Sequence, residues 1–194
     1  MRKHTQNSGL TLIELMVTLG VLSAMFMIGV PQFKRMTETN RIAGSINSLV
    51  GDLKLARTEA AKRSQIVTVC SSTNGLTCAN SASWESGWLV FSDENRDTII
   101  DANDIILSSN AGLPTGFTLS DIDFVSAGII QYLPSGALRG ADPDGTFILC
   151  ESTNNDVERA RGINISNMGR VSRAPDLNAD KTREDIDGND LACP

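Results

Sequence analysis

The feature that most constrains this chain is a mostly apolar run near its beginning, residues 10–30, in which Glu14 is the one charged residue. As an α-helix with a rise of about 1.5 Å per residue, the run would be roughly 30 Å long, which is about the thickness of the hydrocarbon core of a bilayer. Arg2 and Lys3 precede it, and basic residues before a span keep that end in the cytoplasm. We therefore expect residues 10–31 to form a membrane helix and the rest of the chain to be exported.

A cleaved secretory signal peptide is the alternative interpretation of this run. The apolar region of such a signal usually has about 7–15 residues and ends at a cleavage site made of small residues. The run over residues 10–30 is longer and has no such ending. An anchoring helix therefore agrees better with the sequence.

Glu14 requires an explanation, because a carboxylate at the centre of a bilayer costs on the order of 2.5–3.5 kcal/mol. The sequence offers no further charged residue until Lys34. A cation could instead come from a neighbouring copy, as the α-ammonium group made by cutting the chain between Gly9 and Leu10. This arrangement would pair the carboxylate with a second subunit.

The segment Ser8-Gly9-Leu10-Thr11-Leu12-Ile13-Glu14-Leu15 resembles the processing signal of type IV pilins and of the pseudopilins of type II secretion systems. The resemblance implies that a prepilin peptidase cuts after Gly9 and removes a leader of residues 1–9. It also implies that Leu10, where the family most often has phenylalanine, is N-methylated and that Glu14 acts in subunit assembly. The implied partners are the major and other minor pilins and an inner-membrane assembly platform.

A second helical pattern follows Pro31. A proline inside a helix kinks it, because it donates no backbone hydrogen bond and crowds the preceding turn. Beyond it, apolar residues recur at spacings of three and four, which predicts an amphipathic helix over residues 32–63. The apolar stripe comprises Ile42, Ile46, Leu49, Leu53, Ala56 and Ala60. We expect a single bent helix whose second half lies against a globular domain.

After Ser64 the pattern changes to short β-prone segments separated by Gly, Pro, Asn and Asp. These segments predict strands at residues 66–70, 88–91, 105–107, 117–119, 129–133, 146–150, 163–165 and 170–172. The expected fold class is α+β, with a long kinked helix packed on an antiparallel β-sheet domain. The globular part would cover residues 32–194, with the β-domain over residues 64–173 and an acidic tail over residues 174–194.

The order of the motifs adds a narrower resemblance. Leu55-Ala56-Arg57-Thr58-Glu59-Ala60 closes the helix, Gly87-Trp88-Leu89-Val90-Phe91 precedes an Asp-rich hairpin, and Gly169-Arg170 lies near the C-terminus. This order resembles the GspH/FimT family of minor pilins, competence pilins and minor pseudopilins. The resemblance implies a minor type IV pilin that takes part in pilus assembly or priming, at or near the tip. A competence pilin that binds DNA and a minor pseudopilin of a type II secretion system are the alternatives.

The same resemblance implies where the chain is found. Before assembly it would be a single-pass protein of the inner membrane with a cytoplasmic N-terminus. After assembly it would belong to a pilus fibre in the periplasm and at the cell surface.

The cysteines form an even set without a CxxC pair: Cys70, Cys78, Cys150 and Cys193. In an exported chain such a set predicts two disulfides. A Cys70–Cys78 bond would close a short loop after the first strand, and a Cys150–Cys193 bond would tie the tail to a central strand. Four cysteines permit three connectivities, so this pairing is an inference. Four free thiols in a cytosolic protein are the other interpretation.

The residue inventory argues against catalysis. The one histidine of the chain, His4, lies in the expected leader, and the sequence has neither a phosphate-binding loop nor a nucleophile motif. A mature chain without histidine cannot use Ser-His or Cys-His pairs or a zinc site that requires histidine. We therefore expect no enzyme activity and no required cofactor.

Nucleic-acid binding would need a local patch, because 17 Lys and Arg stand against 23 Asp and Glu. Competence pilins of the family that this chain resembles use a Gly-Arg-x-Arg motif, whereas here Gly169-Arg170-Val171-Ser172-Arg173 has the second arginine one place later. On a regular strand, Arg170 and Arg173 would point to opposite faces. The candidate DNA-binding residues are Arg159, Arg161, Arg170 and Arg173. Solvated arginines on an acidic domain are the favoured interpretation.

Two acidic segments have the spacing of calcium-binding loops. The first is Asp93, Asn95, Asp97, Asp101 and Asp104, and the second is Asp176, Asn178, Asp180, Glu184 and Asp187. Both lack the glycine expected at the sixth position, where they have Thr98 and Lys181, and both end in Asp rather than Glu. Hairpins and tails also use such clusters for Asx-turns, so calcium is an open alternative to a structural role.

Overall fold

The protein is represented by a computed structural model that describes residues 12–141, 143–151 and 160–193. Within the long helix, the side chains of residues 28, 30, 31, 34, 35, 38 and 39 are not described. The chain divides into two compact units, Met1–Arg41 and Ile42–Pro194.

Helix α1 covers Leu12–Arg63 and is continuous through Pro31. The kink expected at this proline stays a prediction. In the second unit, the apolar stripe of the helix lies in the main core, and Leu49 and Leu53 have no exposed surface. The stripe predicted from the sequence is therefore confirmed from Ile42 onward.

Eight strands follow the helix in the described part of the chain. They are β1 (Ile66–Ser71), β2 (Gly87–Asp93), β3 (Ile105–Ala111), β4 (Phe117–Ile122), β5 (Ile129–Tyr132), β6 (Gly145–Glu151), β7 (Arg161–Ile165) and β8 (Val171–Arg173). Each predicted strand is present, and the expected α+β architecture is confirmed. The strands form two antiparallel four-stranded sheets, in the orders β3-β2-β1-β5 and β4-β6-β7-β8.

Several strands are buried on both faces, which departs from the simple alternation of a half-exposed strand. In β6, Phe147 and Leu149 lie in the main core, whereas Ile148 and Cys150 lie in a second cluster that includes Leu191 of the tail. The tail thus covers the face of the second sheet that is turned away from the main core. The tail therefore completes the burial of the second sheet.

Both predicted disulfides are present. Cys70 pairs with Cys78, and Cys150 pairs with Cys193. A hydrogen bond also holds the tail, because the Ile186 amide donates to Thr146 Oγ1 of β6 at 3.0 Å. The tail is therefore held both covalently and by hydrogen bonds to the second sheet.

A buried polar contact fixes the helix against the first sheet. The indole Nε1 of Trp88 in β2 donates a hydrogen bond to Asp52 Oδ2 at 2.7 Å, and Asn110 Nδ2 in β3 donates to the same oxygen. Asp52 is itself 8% exposed. Because burying an indole N–H without a partner is costly, this contact favours one orientation of the helix over the sheet.

Candidate functional sites: an apolar helix and a basic groove

The first candidate site is the N-terminal part of α1. All side chains from residue 12 to residue 27 are exposed, including that of Glu14. The large apolar members are Leu12, Ile13, Leu15, Met16, Val17, Leu19, Val21, Leu22, Met25, Phe26 and Met27. They include consecutive residues, which lie about 100° apart around a helix, so every face is apolar. A helix that is apolar all round is normally buried in a larger assembly or in a membrane.

The hydroxyl side chains of Thr18 and Ser23 do not interrupt the apolar character of this segment. Thr18 Oγ1 donates to the carbonyl oxygen of Leu15 at 2.9 Å, and Ser23 Oγ donates to that of Leu19 at 2.8 Å. Because each hydroxyl is satisfied by the backbone of its own helix, it needs no partner from the surroundings.

No helix in the described ranges is long and apolar enough to cross a membrane. The membrane segment expected over residues 10–31 therefore stays a prediction. Gly9 and Leu10, the predicted processing and methylation positions, lie outside the described residues.

The second candidate site is a groove of about 570 Å³ in the unit Ile42–Pro194. One wall is the α1 face that carries Ile46, Val50 and Lys54, and the other wall is formed by β7 and β8. The strand pairing explains the second wall. Ile163 of β7 lies opposite Arg173 of β8, and directly opposite residues of an antiparallel pair point to the same side of the sheet.

The charged residues in the described lining of this basic groove are all cations: Lys54, Arg161, Arg173 and Arg183. Within residues 12–141, 143–151 and 160–193, none of the four forms a salt bridge. Arg183 is oriented by a hydrogen bond from its Nη1 to the carbonyl oxygen of Ala174 at 2.9 Å. A chain with a formal net charge of -6 thus concentrates positive charge in one concave place.

The structure separates the candidate DNA-binding arginines. Arg161 and Arg173 both line the basic groove, whereas Arg170 is exposed before β8 and is not part of the lining. Arg159 lies outside the described residues. DNA binding itself stays a prediction.

Two lining residues were missed by reasoning from the sequence. Lys54 is one of several cations on the polar side of the helix, and the periodicity does not distinguish it from Arg57 or Lys62. Arg183 belongs to the tail, where no periodic pattern exists. The tail reaches the groove through the Cys150–Cys193 bond, so no local signal could have identified Arg183.

The first calcium-like segment is built as a hairpin loop between β2 and β3. Asp93 is fully buried, and its Oδ2 accepts hydrogen bonds from Thr68 Oγ1 at 2.9 Å and from Gln131 Nε2 at 3.0 Å. Asp97 Oδ1 accepts from the Ile99 amide at 2.8 Å, and Asp101 Oδ1 accepts from the Asn103 amide at 2.7 Å. These carboxylates therefore organise the loop through Asx-turns.

The carboxylates of the two calcium-like segments bear on the possibility of a metal site. Among the described residues, no group of three or more His, Cys, Asp or Glu side chains could hold a metal ion. This applies to Asp93, Asp97, Asp101 and Asp104, whose neighbour Asn95 donates to Asp97 and Asp101. It applies equally to the tail segment that begins at Asp176. Calcium binding at these residues stays a prediction.

Asp121 of β4 is a buried carboxylate with a shifted pKa. It accepts hydrogen bonds from Trp84 Nε1 at 2.8 Å and from the Gly128 amide at 3.2 Å. Burial raises the pKa of Asp121 above its ordinary value of 3.8, and the hydrogen bonds from Trp84 and Gly128 oppose that rise. The folded chain therefore holds this proton more tightly than the unfolded chain.

We expect Asp121 to contribute to stability most at low pH. Since its folded pKa is raised, the contribution is fully present below pH 3.8 and is lost as the pH rises through the folded pKa. The free energy of unfolding of the native chain minus that of Asp121→Asn should fall as the pH rises through this window. Urea unfolding of both proteins from pH 3 to pH 7 measures it, and a difference that stays constant would contradict the assignment.

A long helix, exposed and apolar over residues 12–27 and packed from Ile42 onward on two antiparallel sheets, defines the pilin-like class of α+β proteins. Residues 45–169, more than half of the chain, match the family described as Type II transport protein GspH. The chain belongs to the GspH family.

The fold is similar to that of the type IV minor pilin FimU of Pseudomonas aeruginosa. One crystal form shows a TM-score of 0.56 and 19% identity over 72% of this chain and 92% of that chain. A second crystal form shows a TM-score of 0.52 and 18% identity over 69% and 92% of the two chains. The minor pseudopilin EpsH of the Type 2 Secretion System of Vibrio cholerae reaches a TM-score of 0.49 with 13% identity, over 69% of this chain and 95% of that chain.

No curated protein matches this chain in sequence. The family and the similar fold are those of structural pilins and not of enzymes.

Proposed function

We propose that this chain is a minor type IV pilin that takes part in assembling or priming a pilus and lies at or near its tip. The exposed apolar helix carries the proposal. Eleven large apolar side chains between Leu12 and Met27 are exposed, and a helix that is apolar all round needs either lipid or similar helices to cover it. A structural role of this kind needs no catalytic residue.

The mechanism that we propose is the transfer of this helix from lipid into a bundle of similar helices. A prepilin peptidase would cut after Gly9, and methylation would follow on Leu10. Glu14 lies in the first described turn of α1 and would face the N-terminal ammonium of a neighbouring subunit. In a medium of low dielectric constant such a pairing is strong, so it would set the axial position of each subunit.

The proposal includes the inner membrane as the site of the chain before assembly. Residues 10–31 would hold it there with a cytoplasmic N-terminus, and this part of the proposal is supported by the sequence pattern. The partners would be the major and other minor pilins, the prepilin peptidase and the assembly platform. The assembled fibre would then cross the periplasm to the cell surface.

Replacing Glu14 by Ala should leave processing intact and reduce incorporation into fibres. Removal of one member of a charge pair that aligns two helices should lower the amount of the subunit in sheared fibres by roughly tenfold or more. Mass spectrometry of the N-terminus measures processing, and immunoblots of sheared fibres measure incorporation.

Thr18→Ala is a matched control for this experiment, since the Thr18 hydroxyl is satisfied by its own helix. It should assemble normally. Normal incorporation of Glu14→Ala would contradict the mechanism, and a new N-terminus other than Leu10 would contradict the proposed processing.

A minor pseudopilin would share the family and the fold. The phenotype of a deletion therefore has to distinguish a type IV pilus from a type II secretion system. We expect deletion of the gene to reduce pilus-dependent twitching and the amount of surface fibre. Loss of extracellular enzyme secretion with normal pili would instead assign the chain to a type II secretion system.

A further inference from the structure

The basic groove is not used by the proposed assembly of N-terminal helices. It lies in the unit Ile42–Pro194, between α1 and the edge strand β8. Its four cations are joined by an apolar floor that includes Ile46, Val50 and Ile163. An occupant that satisfied both parts would carry carboxylates and apolar side chains close together.

The lining argues against a nucleic acid as that occupant. Sites for single-stranded nucleic acid combine cations with aromatic side chains on which the bases stack. Among the residues that the structure describes, no aromatic side chain lines this groove. An apolar floor of aliphatic side chains has no partner for a phosphate, whereas it can receive the aliphatic side chains of a protein loop.

The chain itself carries a loop with the complementary properties. The β2–β3 loop, residues 94–104, contains the exposed acids Glu94, Asp97 and Asp101. The exposed Ile99 lies among these acids, and Ile105 follows the loop as the first residue of β3 with half of its surface exposed. Acidic and aliphatic groups thus lie close together on an exposed loop, which has one cation, Arg96, and a negative net charge.

We propose that the basic groove of one copy of this chain receives the β2–β3 loop of a second copy. The loop belongs to one edge of the first sheet and the groove to one edge of the second sheet, so the two surfaces are different parts of the molecule. A contact between different surfaces is heterologous and joins subunits head to tail. The inference goes beyond the proposed function, whose contacts are made with other pilins through the N-terminal helix.

The charge balance makes the contact salt-dependent. Each copy has a formal net charge of -6, so copies repel one another at long range and attract only where groove and loop meet. Exposed charges are screened over about 10 Å at 0.1 M salt. Raising the salt concentration should therefore weaken the association.

The experiment uses the full chain in a nonionic detergent and measures its self-association by sedimentation velocity at low salt. The groove variant is Arg161→Glu with Arg173→Glu, and the loop variant is Glu94→Lys with Ile99→Lys. Among the described residues, none of these four side chains makes a hydrogen bond, so both variants should fold. Each variant should weaken self-association by roughly tenfold or more.

The control is Arg170→Glu with Lys181→Glu, which changes the net charge as the groove variant does but at exposed positions outside the groove. It should associate like the native chain. An equimolar mixture of the groove and loop variants should regain association, because one supplies an intact loop and the other an intact groove. This rescue also shows that both variants are folded.

Three results would overturn the proposal. They are a native chain that stays monomeric at low salt, an equal loss in the control, and a mixture that fails to associate although both variants melt like the native chain. A single-stranded oligonucleotide that binds the full chain through Arg161 and Arg173 would instead make the groove a nucleic-acid site. These outcomes are independent of Glu14, so the assembly mechanism can fail while the groove contact stands, and the reverse.

Discussion

Replacing Cys150 and Cys193 together by serine is expected to lower the free energy of unfolding by about 4 kcal/mol. The two cysteines are 43 residues apart, so the bond between them closes a long loop and lowers the conformational entropy of the unfolded chain. This bond fixes the tail, which makes few apolar contacts of its own.

The structure shows why the tail depends on this bond. Its most buried apolar residue, Leu191, is 1% exposed and packs in a small cluster with Ile148 and Ala174. Without the bond, only this small cluster and hydrogen bonds such as those with Thr146 and Asn164 would hold the tail against the second sheet. Release of the tail would also move Arg183 out of the basic groove, so the variant should lose the proposed self-association as well.

Serine replacements at Cys70 and Cys78 are the matched control. These cysteines are 8 residues apart, so the same entropy argument gives a loss of about 2.5 kcal/mol. Chemical unfolding of the full chain in detergent, under non-reducing conditions, measures both losses. Equal losses of unfolding free energy in the two double variants would show that loop length does not determine which disulfide stabilises the chain more.

Replacing Gly169 by Ala is expected to cost about 3 kcal/mol, the sum of a backbone term and a packing term. Gly169 has a φ of +72°, which a residue with a Cβ adopts at a cost. A Cβ here would also lie 2.1 Å from the carbonyl oxygen of Gly136 and 2.9 Å from Cε1 of Tyr132. The turn between β7 and β8 would have to move away from the turn after β5.

That movement would reach the helix. The Gly136 carbonyl oxygen accepts a hydrogen bond from Arg57 Nε of α1 at 3.0 Å, so Gly169, Gly136 and Arg57 connect the second sheet, the turn after β5 and the helix. A displaced turn would lengthen this hydrogen bond.

Gly188→Ala separates the two contributions to this loss. Gly188 has a φ of +88°, but a Cβ there would meet no atom within 4 Å. Its replacement should cost only the backbone term, about 1 kcal/mol. Thermal and urea unfolding of the two variants would measure the difference, and equal losses would contradict the role of the close approach at Gly169.

Several elements could be predicted from the sequence because their signals are local. The stripe at Ile42, Leu49 and Leu53 has a helical period, and these residues lie in the main core as expected. The strand segments are bounded by turn residues, and each became a strand. The cysteine pairing was inferred as one of three possible connectivities, and the structure confirms it.

The division into two sheets could not be predicted. Each strand carries its own β-forming pattern, but the pattern does not state which strand becomes its neighbour. The pairing of β1 with β5 and of β4 with β6 joins segments separated by other strands. Burial on both faces of β6 follows from this pairing and from the tail, and not from the composition of the strand.

The same limit of prediction from the sequence applies to one short segment, Gly169-Arg170-Val171-Ser172-Arg173. The period of a strand indicated that Arg170 and Arg173 do not share a face, and the structure places Arg173 in the groove and Arg170 outside its lining. The partner that the sequence did not indicate is Arg183, because a disulfide and a tail of irregular structure bring it there.

The sequence by itself determined the apolar helix, the stripe that continues it and the order of the strands, since each of these depends on residues close together in the chain. The tertiary structure decided which strands became neighbours and which cations came to line one groove. Such convergence depends on the packing of segments far apart in sequence, and no local period or propensity encodes it.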